Sequence, residues 1–82
     1  MRTFTDASGR TWTAATLEEN TPRHHGRWYL VFHAENEPDQ LLAMPEVRWQ
    51  TRASAERTLR TMSVFELRRR LNLLQRRLGT PA

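Results

Sequence analysis

Arginine carries the clearest chemical signal in this chain. All thirteen basic residues are arginine and none is lysine. Nine of them (Arg48, Arg52, Arg57, Arg60, Arg68, Arg69, Arg70, Arg76 and Arg77) fall from position 48 onward, against Glu56 and Glu66, a balance of +7. The first 47 residues hold Arg2, Arg10, Arg23 and Arg27 against seven acids (Asp6, Glu18, Glu19, Glu35, Glu37, Asp39 and Glu46), a balance of −3. A guanidinium presents a planar fork that fits pairs of carboxylate or phosphate oxygens, where an ammonium is a mobile point charge. The basic end is therefore suited to an anionic neighbour. Net charge alone does not separate an acidic protein from phosphate.

Other chemistry finds little support. His24, His25 and His33 invite a metal, but adjacent strand histidines point to opposite faces. No carboxylate completes a ligand set at the spacing that metal sites show. Glu35, Glu37 and Asp39 alternate without the Asp-x-Asp-x-Asp-Gly pattern of a calcium loop. Nucleophilic catalysis lacks both a cysteine and a Gly-x-Ser-x-Gly turn. Ser8, Ser54 and Ser63 have local turn or cap explanations. Three glycines in all cannot build a phosphate-cradling loop,. No enzyme, metal or cofactor is expected.

Eighty-two residues make one domain with a thin core, to which a partner is expected to add stability,. The absence of cysteine excludes a disulfide framework and a zinc-thiolate site, and agrees with a reducing compartment. Met1–Arg10 has no apolar run, so no secretory leader is expected. The longest apolar run, Trp28–Phe32, is far too short to span a bilayer. The expected setting is the cytoplasm, or the cytoplasmic face of a membrane.

The elements that must position these residues read as sheet first and helix last. Arg2–Thr5 and Arg10–Leu17 are threonine-rich and aromatic, and Asp6-Ala7-Ser8-Gly9 between them signals a hairpin. A three-residue loop with Gly9 left-handed sets Asp6 opposite Arg10 and Phe4 opposite Trp12. Glu18–Gly26 reads as a polar loop. Arg27–Ala34 is the strongest strand, with Trp28, Leu30 and Phe32 on one side and Tyr29, Val31 and His33 on the other. Apolar groups on both sides predict a central strand with partial cover on its second face. Glu35–Asp39 reads as an acidic turn, and Leu41–Trp49 as a fourth strand that Pro45 confines to an edge or a bulge.

Thr51 caps a helix over Arg52–Thr61. Ser63 with Glu66 forms a capping box for the next, and Met62 with Leu67 a hydrophobic staple. Val64, Leu67, Leu71, Leu74 and Leu78 make one stripe that packs on the sheet. Gly79 ends the helix, with Pro81 beyond. The fold expected is α+β: a three- or four-stranded antiparallel meander over residues 1–49, then a short and a long helix over 51–79, the long one packed on one sheet face.

At 100° per residue, Arg69 and Arg76 lie nearly opposite the leucine stripe, with Leu73 beside them and Arg77 and Glu66 close by. Phe65 and Asn72 flank the same outer surface. Phe65, Arg69, Asn72, Leu73, Arg76 and Arg77 therefore form the candidate partner-binding set, a mixed apolar and charged patch of the kind partner surfaces use.

Trp49–Glu56 resembles the strand-to-helix transition of AP2-type domains and of the arm-binding domains of tyrosine recombinases. That resemblance implies a sheet in the DNA major groove braced by a helix. Those families place basic residues densely on the strands, whereas here most lie on the helices. The C-terminal half resembles small uncharacterised proteins of GC-rich bacteria, in Val47-Arg48-Trp49, Arg57-Thr58-Leu59, Thr61-Met62-Ser63 and Glu66–Leu71. This second resemblance implies a fold unit without an attached activity. Such an orphan domain suits a small extrinsic accessory subunit of a larger complex, membrane-associated photosynthetic assemblies among them. The expected function is thus a non-catalytic protein-interaction domain docking through the arginine-rich helix face. The alternative is a small basic DNA- or RNA-binding regulator. A helix-turn-helix is disfavoured, since Met62-Ser63 is too short a join and lacks glycine.

Overall fold

Gly9 makes the first reversal of the chain. Its φ of +88° is the left-handed conformation that glycine adopts without steric cost,. The computed structural model describes residues 1–19 and 27–78. The Asp6 amide donates to the Arg10 carbonyl at 2.8 Å, and the Gly9 amide to the Asp6 carbonyl at 3.0 Å, closing the expected three-residue loop. Strand β1 (Arg2–Thr5) therefore pairs antiparallel with β2 (Thr11–Glu19), and Phe4 stands opposite Trp12.

Strand β3 (Arg27–Ala34) pairs with β2, and β4 (Glu37–Trp49) with β3, giving one open antiparallel sheet in the order β1-β2-β3-β4. Two strands run longer than the sequence signals. Glu18 and Glu19 belong to β2, paired with Trp28 and Arg27, rather than to a loop. The acidic turn shrinks to Glu35-Asn36, because β4 begins at Glu37, which pairs with Ala34. The Glu35 amide donates to the Thr11 carbonyl at 3.1 Å and so stays tied to the sheet. The remainder of the expected polar loop, with His24 and His25, lies outside the described residues, as do Gly79 and Pro81.

Pro45 sits where the β3–β4 register shifts, between the Tyr29–Arg48 and Leu30–Met44 pairs. Proline lacks a ladder donor, and an irregular edge strand tolerates that loss. Past this irregularity Val47 and Trp49 pack against the core.

Helix α1 (Arg52–Thr61) starts at Thr51, whose hydroxyl accepts from the Ser54 amide at 3.1 Å. It ends at Met62, and the carbonyls of its last turn are met by Arg2. Helix α2 (Val64–Arg77) starts at Ser63, whose hydroxyl accepts from the Glu66 amide at 3.1 Å. Met62 and Ser63 are both extended, so the helical region is two separate helices with a two-residue join.

Both helices lie on one face of the sheet. The core they share joins Phe4, Trp12, Leu30, Phe32 and Met44 from the strands to Leu59, Leu67, Leu71 and Leu74 from the helices. Phe4 meets Phe32 edge-on at 6.0 Å between ring centroids, the favoured geometry of an aromatic pair,. Full burial of a leucine side chain is worth about 1.5–3 kcal/mol, so Leu67, Leu71 and Leu74 hold α2 down,. The apolar stripe is shorter than its spacing implies. Val64 and Leu78 are exposed.

Among the described residues no helix or strand lies over the second face of the sheet. Val31 and Thr13 on that face are buried, in line with partial cover there. In the register Val31 stands between Ala15 and Ala43, and Thr13 beside His33. No described helix is long and apolar enough to cross a membrane.

Candidate docking surface on the second helix

Three leucines fix the rotation of α2, and with it the direction of every other side chain on the helix. The exposed residues Phe65, Arg69, Asn72, Leu73, Arg76 and Arg77 all point away from the core. Phe65 is 77% exposed and Leu73 45%, so two large apolar groups stand among the arginines.

Those arginines are not equivalent. Arg69 grips Glu66 with a fork, Nε to Oε2 at 3.0 Å and Nη2 to Oε1 at 2.6 Å. Arg70 adds its Nε at 2.9 Å from the same Oε1, close enough for an ion pair but not aligned as a hydrogen bond. The Arg69 hydrogen bonds, more than the charges of Arg69 and Arg70, hold the Glu66 carboxyl below its usual pKa. The same bonds raise Arg69. Glu66 therefore faces these two arginines. The Glu66 side-chain half of the expected capping box does not form among the described contacts, because two guanidinium groups compete for that carboxylate. Arg77 crosses to β4 and donates to Glu46, and this hydrogen bond lowers the Glu46 pKa. Arg76 has no acidic partner among the described residues.

The six residues divide between two zones. Phe65, Arg69 and Asn72 line a cleft of about 500 Å³ between α2 and the β1–β2 turn. Leu73, Arg76 and Arg77 stand outside it. The other lining residues include Asp6, Ser8 and Arg10 from the turn, and Arg68, Leu71 and Gln75 from the helix.

The turn wall is built around Asp6. Its Oδ1 accepts from the Ser8 amide at 2.9 Å, the Ser8 hydroxyl at 2.7 Å and the Arg10 amide at 2.9 Å. Its Oδ2 accepts from the Trp12 indole at 2.9 Å. Burial pushes the Asp6 carboxyl up, but the bonds from Ser8, Trp12 and Arg10 together outweigh it and leave the pKa lowered,. Arg10 lies over the Trp12 ring, 5.1 Å from its centroid, and pairs with Glu37 at 3.3 Å. Arg68 forms the opposite wall. Its Nε donates to the Thr5 carbonyl at 2.6 Å and its Nη2 to the Thr5 hydroxyl at 3.1 Å, tying α2 to β1.

Sequence reasoning missed Arg68, Gln75 and the turn residues. The helical part was detectable: positions 65, 68, 69, 72 and 75 follow the three-and-four spacing of one helix side. The approach of the Asp6–Arg10 turn is a tertiary contact without a local signal.

Compared with known proteins, this chain matches no family model, no curated protein and no solved structure.

Proposed function

We propose that this chain is a non-catalytic protein-interaction domain, a small extrinsic accessory subunit of a larger complex, which docks through the outer face of α2. The observation that carries this reading is the exposure of Phe65 and Leu73 beside arginines that are largely neutralised within the molecule. An apolar anchor inside a polar, hydrogen-bonding rim is the anatomy of a protein–protein contact. Phosphate recognition draws its affinity from unpaired positive charge. Of the nine arginines from Arg48 onward, Arg48, Arg52, Arg69, Arg70 and Arg77 each pair with a glutamate of this chain. The setting in this reading is the cytoplasm or the cytoplasmic face of a membrane.

A DNA- or RNA-binding regulator is the second reading. It is favoured by Arg57, Arg60, Arg68 and Arg76, which have no acidic partner among the described residues. Against it, the open sheet face that would enter a groove in an AP2-like arrangement is poor in charge. Around Thr13, Ala15, Tyr29, Val31 and Ala43 it carries Arg27 and Arg48, and Arg48 is paired with Glu19 at 3.4 Å.

The test is fractionation of a native extract. The protein-interaction reading expects co-elution with a larger assembly that survives nuclease. Release on nuclease treatment would favour the second reading.

A further inference from the structure

We propose that the cleft between the Asp6–Arg10 turn and α2 receives a short acidic segment of the partner protein, with one carboxylate on Arg68 and an adjacent apolar side chain against Phe65. This deepens the interaction reading above and rests on it. Three guanidinium groups line the cleft: Arg10, Arg68 and Arg69. Arg10 is balanced by Glu37 and Arg69 by Glu66. Arg68 is the exception, since both its bonds go to neutral oxygens of Thr5 and no described carboxylate pairs with it. Asp6, the one carboxylate among the described lining residues, spends both its oxygens on four neutral donors, three in its own turn and the Trp12 indole. Arg68 is thus the lining cation to which no described carboxylate is bonded. That cation is held in place before any ligand arrives, which lowers the entropy cost of binding.

The rest of the lining specifies the neighbouring groups. Phe65 and Ala7 offer apolar surface, which suits an aliphatic or aromatic side chain. The amides of Asn72 and Gln75 each carry a donor and an acceptor, the complement of a peptide backbone,. A volume of about 500 Å³ falls in the range of sites that hold drug-sized groups,. One cation beside an apolar wall fits a single carboxylate next to an apolar residue better than it fits a run of phosphates.

The test uses the full chain, isotopically labelled, titrated with nonapeptides that place Asp or Glu at varied positions around a central Leu or Phe. Controls replace the acids by Gln or the central residue by Ser, and a short single-stranded oligonucleotide is added as a further arm. Saturable shifts confined to residues 6–10 and 65–75 are expected with the acidic, apolar-centred peptides. Affinity should fall about tenfold or more, near 1.4 kcal/mol, in Arg68→Gln. Because that change also cuts the tie to Thr5, Ala7→Trp, which fills the cleft from the turn side, should weaken binding equally. Absence of saturable shifts across the panel, equal binding of the neutral controls, or tighter binding of the oligonucleotide at the same residues would overturn the proposal. Native partner association that persists in Ala7→Trp but is lost in Leu73→Ala would overturn the cleft assignment alone, leaving the interaction reading intact.

Discussion

The Arg2 guanidinium donates from Nη1 to the Met62 carbonyl at 2.8 Å, across 60 positions of the chain. The same nitrogen lies 2.8 Å from the Arg60 carbonyl and 3.3 Å from that of Leu59. A helix leaves its final carbonyls without internal partners and concentrates negative potential at that end. The first strand thus caps the first helix. Arg2→Met keeps most of the stem and removes the donors. It should cost about 1–2 kcal/mol in urea unfolding. Faster amide exchange should follow in the last turn of α1 and in the join before α2.

Asp6 should make stability fall in acid. Its folded pKa lies below the ordinary value of 3.8. A depressed carboxyl contributes stability that is complete above the unfolded value and is lost as pH falls through the folded one. The contribution should therefore be present at neutral pH and fade below about pH 3.8,. Glu46 and Glu66 are depressed as well, so the wild-type curve alone does not isolate Asp6. The difference between wild type and Asp6→Asn should be largest near neutrality and shrink toward low pH. A constant difference across the range would show that the charge is not what the turn uses.

Gly9→Ala separates backbone strain from crowding. A Cβ at this position would meet no heavy atom within 4 Å, so any cost comes from the positive φ. Thermal or urea unfolding should show a loss of about 1 kcal/mol.

Leu71 and Leu73 lie two positions apart on α2 and should behave oppositely. Leu71 is 1% exposed, and Leu71→Ala should destabilise by about 2–5 kcal/mol,. Leu73 is on the outer surface, and Leu73→Ala should change stability by about 0.5 kcal/mol or less. Equal penalties would show that the helix is rotated from the orientation described.

Local patterns account for much of what the sequence revealed. The α+β architecture, the Phe4–Trp12 register, the Gly9 turn and the caps at Thr51 and Ser63 all arise from neighbours in the chain. Errors came where local signals competed. Glu35 to Asp39 reads as a turn because it gathers acids around Pro38, yet β4 already begins at Glu37, which pairs with Ala34. Glu66 reads as a capping-box acid, but Arg69 and Arg70 claim it. Val64 and Leu78 keep the helical spacing but are exposed. The patch of Phe65 and Leu73 followed from periodicity alone. The cleft did not, because the approach of the Asp6–Arg10 turn to Arg68 and Asn72 depends on how the hairpin and α2 pack on the same core.

The most direct measurement compares wild type with the Leu73→Ala, Arg76→Glu double variant, each expressed in the native source and fractionated after nuclease treatment. The account predicts that the wild-type chain elutes with a larger assembly. The double variant, with an unchanged melting temperature, should elute alone. A folded double variant that still travels with the assembly, or a wild-type chain that nuclease sets free, would contradict docking of a protein partner through the outer face of α2.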